Sequence, residues 1–284
     1  MKLRQELLII LTNIFTMNNC RCCRNVDLRY SMSYNLVKFD AKSTASVMTR
    51  RRFVNVSKCK DYAEAKQALA FNFGNFLQTF VLILRAIADY YVCNRISKLR
   101  LTGNDFWEPN CILLHCPELN GLHQLVNISG VDYYSTYSNE TYGGNVSLNC
   151  IANIGLFIVF TEKQNFTNAQ NSCHKVQGVL ADVTSDARTR GLISLIGDNL
   201  VFIGLSNKGN SRNWKNEFGN ALSCFDYRAW DSGEPSHSRG CVGLAQITRK
   251  RNPVWKVIPC NAELPFICEI PHSQHKTKRL THMK

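Results

Sequence analysis

The chain has 284 residues, 34 basic and 21 acidic side chains for a net charge of +13, 45% hydrophobic and 10% aromatic residues. That composition excludes a disordered chain, and the length suffices for one ordinary domain with extensions or two small ones. The charge excess sits at the ends: residues 1–58 hold 11 basic against 3 acidic side chains, and the tail 271–284 holds 4 basic and no acidic ones. A nucleic-acid partner would need that charge on one folded face, so none is expected.

Thirteen cysteines, clustered toward the second half, indicate a disulfide framework and an oxidising compartment, hence a secreted, extracellular protein. Sequons at Asn55, Asn127, Asn139, Asn145 and Asn165 agree with a secreted glycoprotein.

In chain order, "MKLRQELLIILTNIF" pairs a basic start with an apolar run from Leu7 to Phe15, the outline of a signal peptide, although Glu6 and the lack of a small-residue cleavage site depart from it. Cys20, Cys22 and Cys23 follow without a second spaced ligand pair, so residues 1–58 read as a basic leader and not as a metal site. Residues 59–154 read as a cysteine-containing extension. Within it "DYAEAKQALAF" predicts a helix capped by Asp61, with Tyr62, Ala65 and Leu69 on one face. The apolar run Phe76 to Val92 is interrupted by Arg85 and Asp89, which suits a buried or interfacial helix and no transmembrane span. Residues 75–105 look like an insertion into an otherwise coherent region. From Cys111 to Cys150, turn residues among short apolar alternations predict irregular strands, with Cys116–Cys150 the simplest pairing. The segment from Cys116-Pro117 to Cys150 resembles the first half of a sushi module.

From Gly155 the pattern is regular. "LFIVFTE" alternates as a strand. "NFTNAQNSCHKVQG" places Phe166, Ala169, Cys173 and Val176 on one helical face, and Gly178 ends it. A short strand "VLADV", a helix from Ser185 to Gly197 and the strand "LVFIGL" follow. After a long loop-rich stretch, Ser206 to Gly240, "CVGLAQI" and "VWKVIPC" form a hairpin and "PFICEI" closes the domain.

Phe202-Ile203-Gly204-Leu205, the loop Trp230 before Gly233-Glu234-Pro235, the four cysteines 173, 241, 260 and 268, and "PFICE" stand in the order of one family. Residues 155–270 resemble the C-type lectin-like domain, and the cysteine-bearing extension is like that of arthropod members. The resemblance implies an α+β, disulfide-stapled domain of two helices, small antiparallel sheets and a long loop region, followed by a basic tail 271–284. It also implies the bonds Cys173–Cys268 and Cys241–Cys260. Cys224 is extra. It is left to bridge Cys111 or Cys59, to link a second chain in a disulfide oligomer, or to stay free.

In sugar-binding members a calcium ion is held by a Glu-Pro-Asn or Gln-Pro-Asp turn, an acid before the next cysteine and an Asn-Asp pair after a tryptophan. Here Glu234 and Pro235 match, but Ser236 replaces the amide, Arg239 and Gly240 precede Cys241, and Lys256 and Val257 follow Trp255. A cation ~4 Å from a divalent ion opposes binding by several kcal/mol even in a polarisable site. The usual calcium site is therefore expected to be lost, with no metal and no cofactor, and Glu234 to pair with Arg239 or Lys256. Ser236, Arg239, Lys256, Trp214 and the hairpin run Arg249, Lys250, Arg251 would then form a basic rim for a glycan, acidic in kind, or for an extracellular protein. No Gly-x-Ser-x-Gly, His-Glu-x-x-His or phosphate loop is present, so no enzymatic activity is expected.

Overall fold

The computed structural model describes residues 32–74, 109–119, 122, 124–137, 146–208, 213–247 and 252–272. The described residues divide into two compact units, 32–157 with 270–272, and Ile158–Glu269.

The first unit is built on strands β1 (Asn35–Lys38), β2 (Ala41–Lys42) and β3 (Val47–Arg51), helix α1 (Val56–Ala65), and strands β4 (Ala70–Gly74), β5 (Cys111–Leu114), β6 (Val126–Asn127) and β7 (Val131–Ser135). Five of the strands form one antiparallel sheet in the order β1-β7-β4-β5-β3, and β2 pairs with β6. The expected division at residue 58 therefore fails: β1 and β3 place residues 35–51 in the same sheet as the rest of this unit. β7, between Cys116 and Cys150, pairs with β1 and β4 from well before Cys116.

α1 also begins earlier than expected. Asn55 caps it, its side chain accepting the Lys58 N–H at 3.0 Å, and Asp61 lies inside the helix. Gln67 takes a left-handed turn (φ +54°), so Leu69 leaves the helix and leads into β4. The face that is buried carries Cys59 and Ala63, and Cys59 is bonded to Cys111 on β5. Asn110 uses its amide like a strand segment: Oδ1 accepts Phe53 N–H at 2.9 Å and Nδ2 donates to Phe53 O at 2.8 Å. Buried Asn72 does the same for Ser43, at 2.8 and 2.9 Å, so the backbone between β2 and β3 keeps its partners out of water.

Gly74 donates to Asn110 O at 2.8 Å, so the chain leaves β4 and returns to β5 at a hydrogen-bonded hairpin end. The proposed insertion and the apolar run 76–92 lie outside the described residues. Among the described residues no helix is long and apolar enough to cross a membrane. β8 (Asn149–Ile151) pairs with the start of β9 (Gly155–Gln164), the strand in which the chain passes from one unit to the other, and Cys150 is bonded to Cys116 as expected.

The second unit follows the expected element order: α2 (Phe166–Lys175), β10 (Val179–Leu180), α3 (Asp186–Ile196), β11 (Val201–Asn207), β12 (Lys215–Asn216), β13 (Gly240–Ile247), β14 (Asn252–Ile258) and β15 (Leu264–Ile270). Its strands run β14-β13-β11-β15-β9. α2 buries Phe166, Ala169 and Cys173 as the 3.6-residue period required. Its end is a Schellman turn, with Gly178 N–H on Cys173 O at 2.8 Å, but the left-handed position is Gln177 (φ +60°), one residue before the glycine. α3 is capped by Ser185 and ends at Gly197 (φ +56°).

Both bonds implied by the family resemblance are present, Cys173–Cys268 and Cys241–Cys260. The first closes a separation of 95 residues, which on chain-entropy grounds contributes about 4–5 kcal/mol by restricting the unfolded chain. Cys224 is also disulfide-bonded. Because Cys59 and Cys111 are bonded to each other, neither is its partner, which lies outside the described residues.

A buried ionic cluster joins α3 to the sheet. The Arg188 guanidinium reaches the Glu269 carboxylate and the Asp182 carbonyl oxygen, the latter at 3.2 Å. Asp182 also takes the Thr184 hydroxyl at 2.6 Å and the Asn216 amide at 3.2 Å. All of these residues are buried.

Candidate functional site

The loop between β12 and β13 has few backbone pairs of its own, so its order comes from side chains. Arg228 spends its planar donor fork on three carbonyls, Leu222 and Phe225 at 2.7 Å and Tyr227 at 2.6 Å. Trp255 on β14, fully buried, anchors the next stretch from both sides of its peptide: its N–H donates to Ala229 O at 2.7 Å and its carbonyl accepts Asp231 N–H at 3.0 Å. Trp230 lies edge-on to Trp255 at 5.4 Å and Trp214 edge-on to Trp230 at 5.1 Å, while Tyr227 meets Trp255 at 5.5 Å. This aromatic ladder seats the loop against β14.

On that support stands the turn. Glu234 N–H donates to Asp231 O at 3.0 Å, and the Glu234 carboxylate bends back onto its own loop. Oε2 accepts the Ser236 N–H at 2.6 Å and the Ser236 hydroxyl at 2.9 Å. His237 Nδ1 lies 3.1 Å from the Ser236 hydroxyl. Lys256, opposite Gly243 in the β13–β14 pair, sets its ammonium 3.3 Å from Asp231 Oδ2. The Ser232 N–H on its oxygen, and then the Lys256 ammonium, hold the Asp231 carboxyl below its ordinary range.

Of the two cations expected to pair with Glu234, Lys256 pairs with Asp231 instead, and Glu234 takes hydrogen bonds from Ser236. Asp231 was not singled out in the sequence; its place one residue after Trp230 was the available signal. Trp214 is half-buried in the ladder, Ser236 and Arg239 are exposed and Glu234 is half-buried. Arg249, Lys250 and Arg251 lie outside the described residues.

Calcium takes six to eight oxygen ligands. At this turn the carboxylate that matches the family pattern is engaged by Ser236, and the β14 position that follows the tryptophan carries an ammonium. Asn207 Nδ2 ties the end of β11 to Ser238 O, leaving Oδ1 buried with no hydrogen-bond partner among the described residues, a single amide oxygen. Among the described residues no group of three or more His, Cys, Asp or Glu side chains is placed to hold a metal.

Of the sequon residues, Asn55 and Asn165 cap helices through Oδ1, Asn165 accepting Asn168 N–H at 2.9 Å. Asn127 is exposed on β6. Asn139 and Asn145 lie outside the described residues.

Residues 162–270 match the family model "Lectin C-type domain". A C-type lectin, mannose-binding isoform, of Notechis scutatus scutatus is 32% identical over 121 residues, 39% of this chain and 73% of that protein. Lithostathine of Rattus norvegicus is 35% identical over 99 residues, 32% of this chain and 57% of its own length. The crystal structure of human lithostathine is 26% identical, covering 41% of this chain and 83% of that one, with a TM-score of 0.36. On the family-model match and the identity to these relatives, the chain belongs to the C-type lectins, a family of non-enzymatic binding proteins.

Proposed function

We propose that the protein is an extracellular recognition protein that binds carbohydrate through the 231–239 turn and the facing β14 without a calcium ion there. The observation that carries this reading is the Lys256–Asp231 contact at 3.3 Å beside a Glu234 carboxylate already committed to Ser236. A divalent ion at that turn would have to displace Ser236 and sit near an ammonium, against several kcal/mol of repulsion at ~4 Å. Secretion is supported by the disulfide density, with four described bonds besides that of Cys224.

The ligand class is an acidic glycan. Arg239 stands exposed beside the turn, and the sequence carries Arg249, Lys250 and Arg251 between the residues of β13 and β14. A glycan array probed with calcium and again with chelator tests the reading. Binding to sulfated or uronic-acid glycans that survives chelation and weakens with salt is expected. Binding that disappears on chelation contradicts it.

A further inference from the structure

The described residues expose four large apolar side chains, and three of them fall at one place: Phe39 (69%), Val126 (47%) and Ile128 (37%). β2 and β6 bring them together. Ala41 faces Asn127 and Lys42 faces Val126 across that pair, and Ile128 N–H donates to Asp40 O at 2.9 Å, next to Phe39. The exposure of Phe39 is held in place. Asp40, in a left-handed conformation (φ +47°), accepts Gly130 N–H on Oδ1 at 2.7 Å and donates its own N–H to Asp132 Oδ1 at 3.2 Å. Asn127, exposed, stands between Val126 and Ile128 and is the acceptor of the sequon Asn127-Ile128-Ser129.

We propose that Asn127 is N-glycosylated and that its glycan covers the Phe39–Val126–Ile128 patch. The inference shares with the preceding proposal only passage through the secretory pathway. The donor is a lipid-diphosphate-linked oligosaccharide. A bond forms between Asn127 Nδ2 and the sugar C1, the C1–O bond to the diphosphate breaks, the lipid diphosphate leaves and the amide gives up one proton. Asn127 is exposed and shares β6 with Val126 and borders Ile128, so the first sugars are tethered within reach of the patch. Sugar C–H faces carry partial positive charge and suit the electron-rich face of Phe39. An apolar patch that a glycan shields is removed from self-association without being buried in a core. Asn55 and Asn165, the other described sequons, sit at helix N-caps and not at this cluster.

The test uses the full chain secreted from eukaryotic cells. Glycosidase release in heavy-oxygen water, followed by peptide mass spectrometry, is expected to convert Asn127 to labelled aspartate. Removing the glycan from folded protein, or replacing Asn127→Gln, is expected to raise binding of an apolar fluorescent dye severalfold and to promote self-association. Adding Phe39→Ser to Asn127→Gln is expected to return both to the wild-type level. An unmodified Asn127 in secreted protein overturns the proposal, as does dye binding unchanged by enzymatic removal. A dimer seated on an unglycosylated patch overturns it too. Glycan-array binding is scored separately, so loss of either proposal leaves the other standing.

Discussion

The Lys256 ammonium lies 3.3 Å from Asp231 Oδ2, joining the centre of β14 to the loop that carries Glu234. The contact is partly exposed, with side-chain exposures of 44% and 25%, so its own contribution to stability is small, below about 1 kcal/mol and screened by salt. Its effect is on what the turn can hold. The Lys256→Ala variant is expected to unfold at nearly the wild-type denaturant midpoint while losing affinity for acidic glycans. A large drop in midpoint would show that the lysine serves the fold instead.

Acid acts on the same pair. The Asp231 carboxyl is held below its ordinary range, so it favours the folded state above its unfolded pKa. That contribution falls away as pH drops through the lowered folded value. Asp231→Asn is therefore expected to lower stability near neutrality, where the contribution is fully present, and to flatten the stability–pH curve below the ordinary carboxylate range. Denaturation profiles against pH measure this.

Arg188 is the charge compensation for buried Asp182 and Glu269. Arg188→Ala removes the cation that the described residues place against these two buried carboxylates. A loss of about 3–5 kcal/mol is expected from urea unfolding of the full chain. A Lys in its place keeps the charge but not the planar fork, and is expected to recover only part.

Gly204 tests the close packing of the second unit. A Cβ there would lie 2.4 Å from Leu180 O, a backbone atom, and Gly204 N–H already donates to Ala181 O at 2.8 Å. Gly204→Ala is expected to destabilise by about 2–3 kcal/mol through forced backbone displacement. A neutral result would mean that β10 can move away.

The second unit was legible in sequence because its signals are local. α2 shows its buried face within Phe166–Cys173, and Gly204 and the cysteines mark fixed points along one continuous stretch. The first unit was not. Its strands are two to five residues long, and β1 finds its partner, Ser135 opposite Asn35, far along the chain. No periodicity reaches across that separation. At the site, the loss of donor types at Ser236 and Lys256 could be seen residue by residue. That Lys256 would choose Asp231 over Glu234 depended on how the Trp214–Trp230–Trp255 ladder seats the loop, which is a tertiary fact.

A calorimetric titration of the folded protein with calcium, alongside Glu234→Gln, tests the proposed calcium-free turn most directly. With Lys256 and Ser236 where they are, no binding isotherm dependent on Glu234 is expected up to millimolar ion. A saturating isotherm that Glu234→Gln removes would mean the turn still grips calcium, and the proposed calcium-free recognition would be wrong.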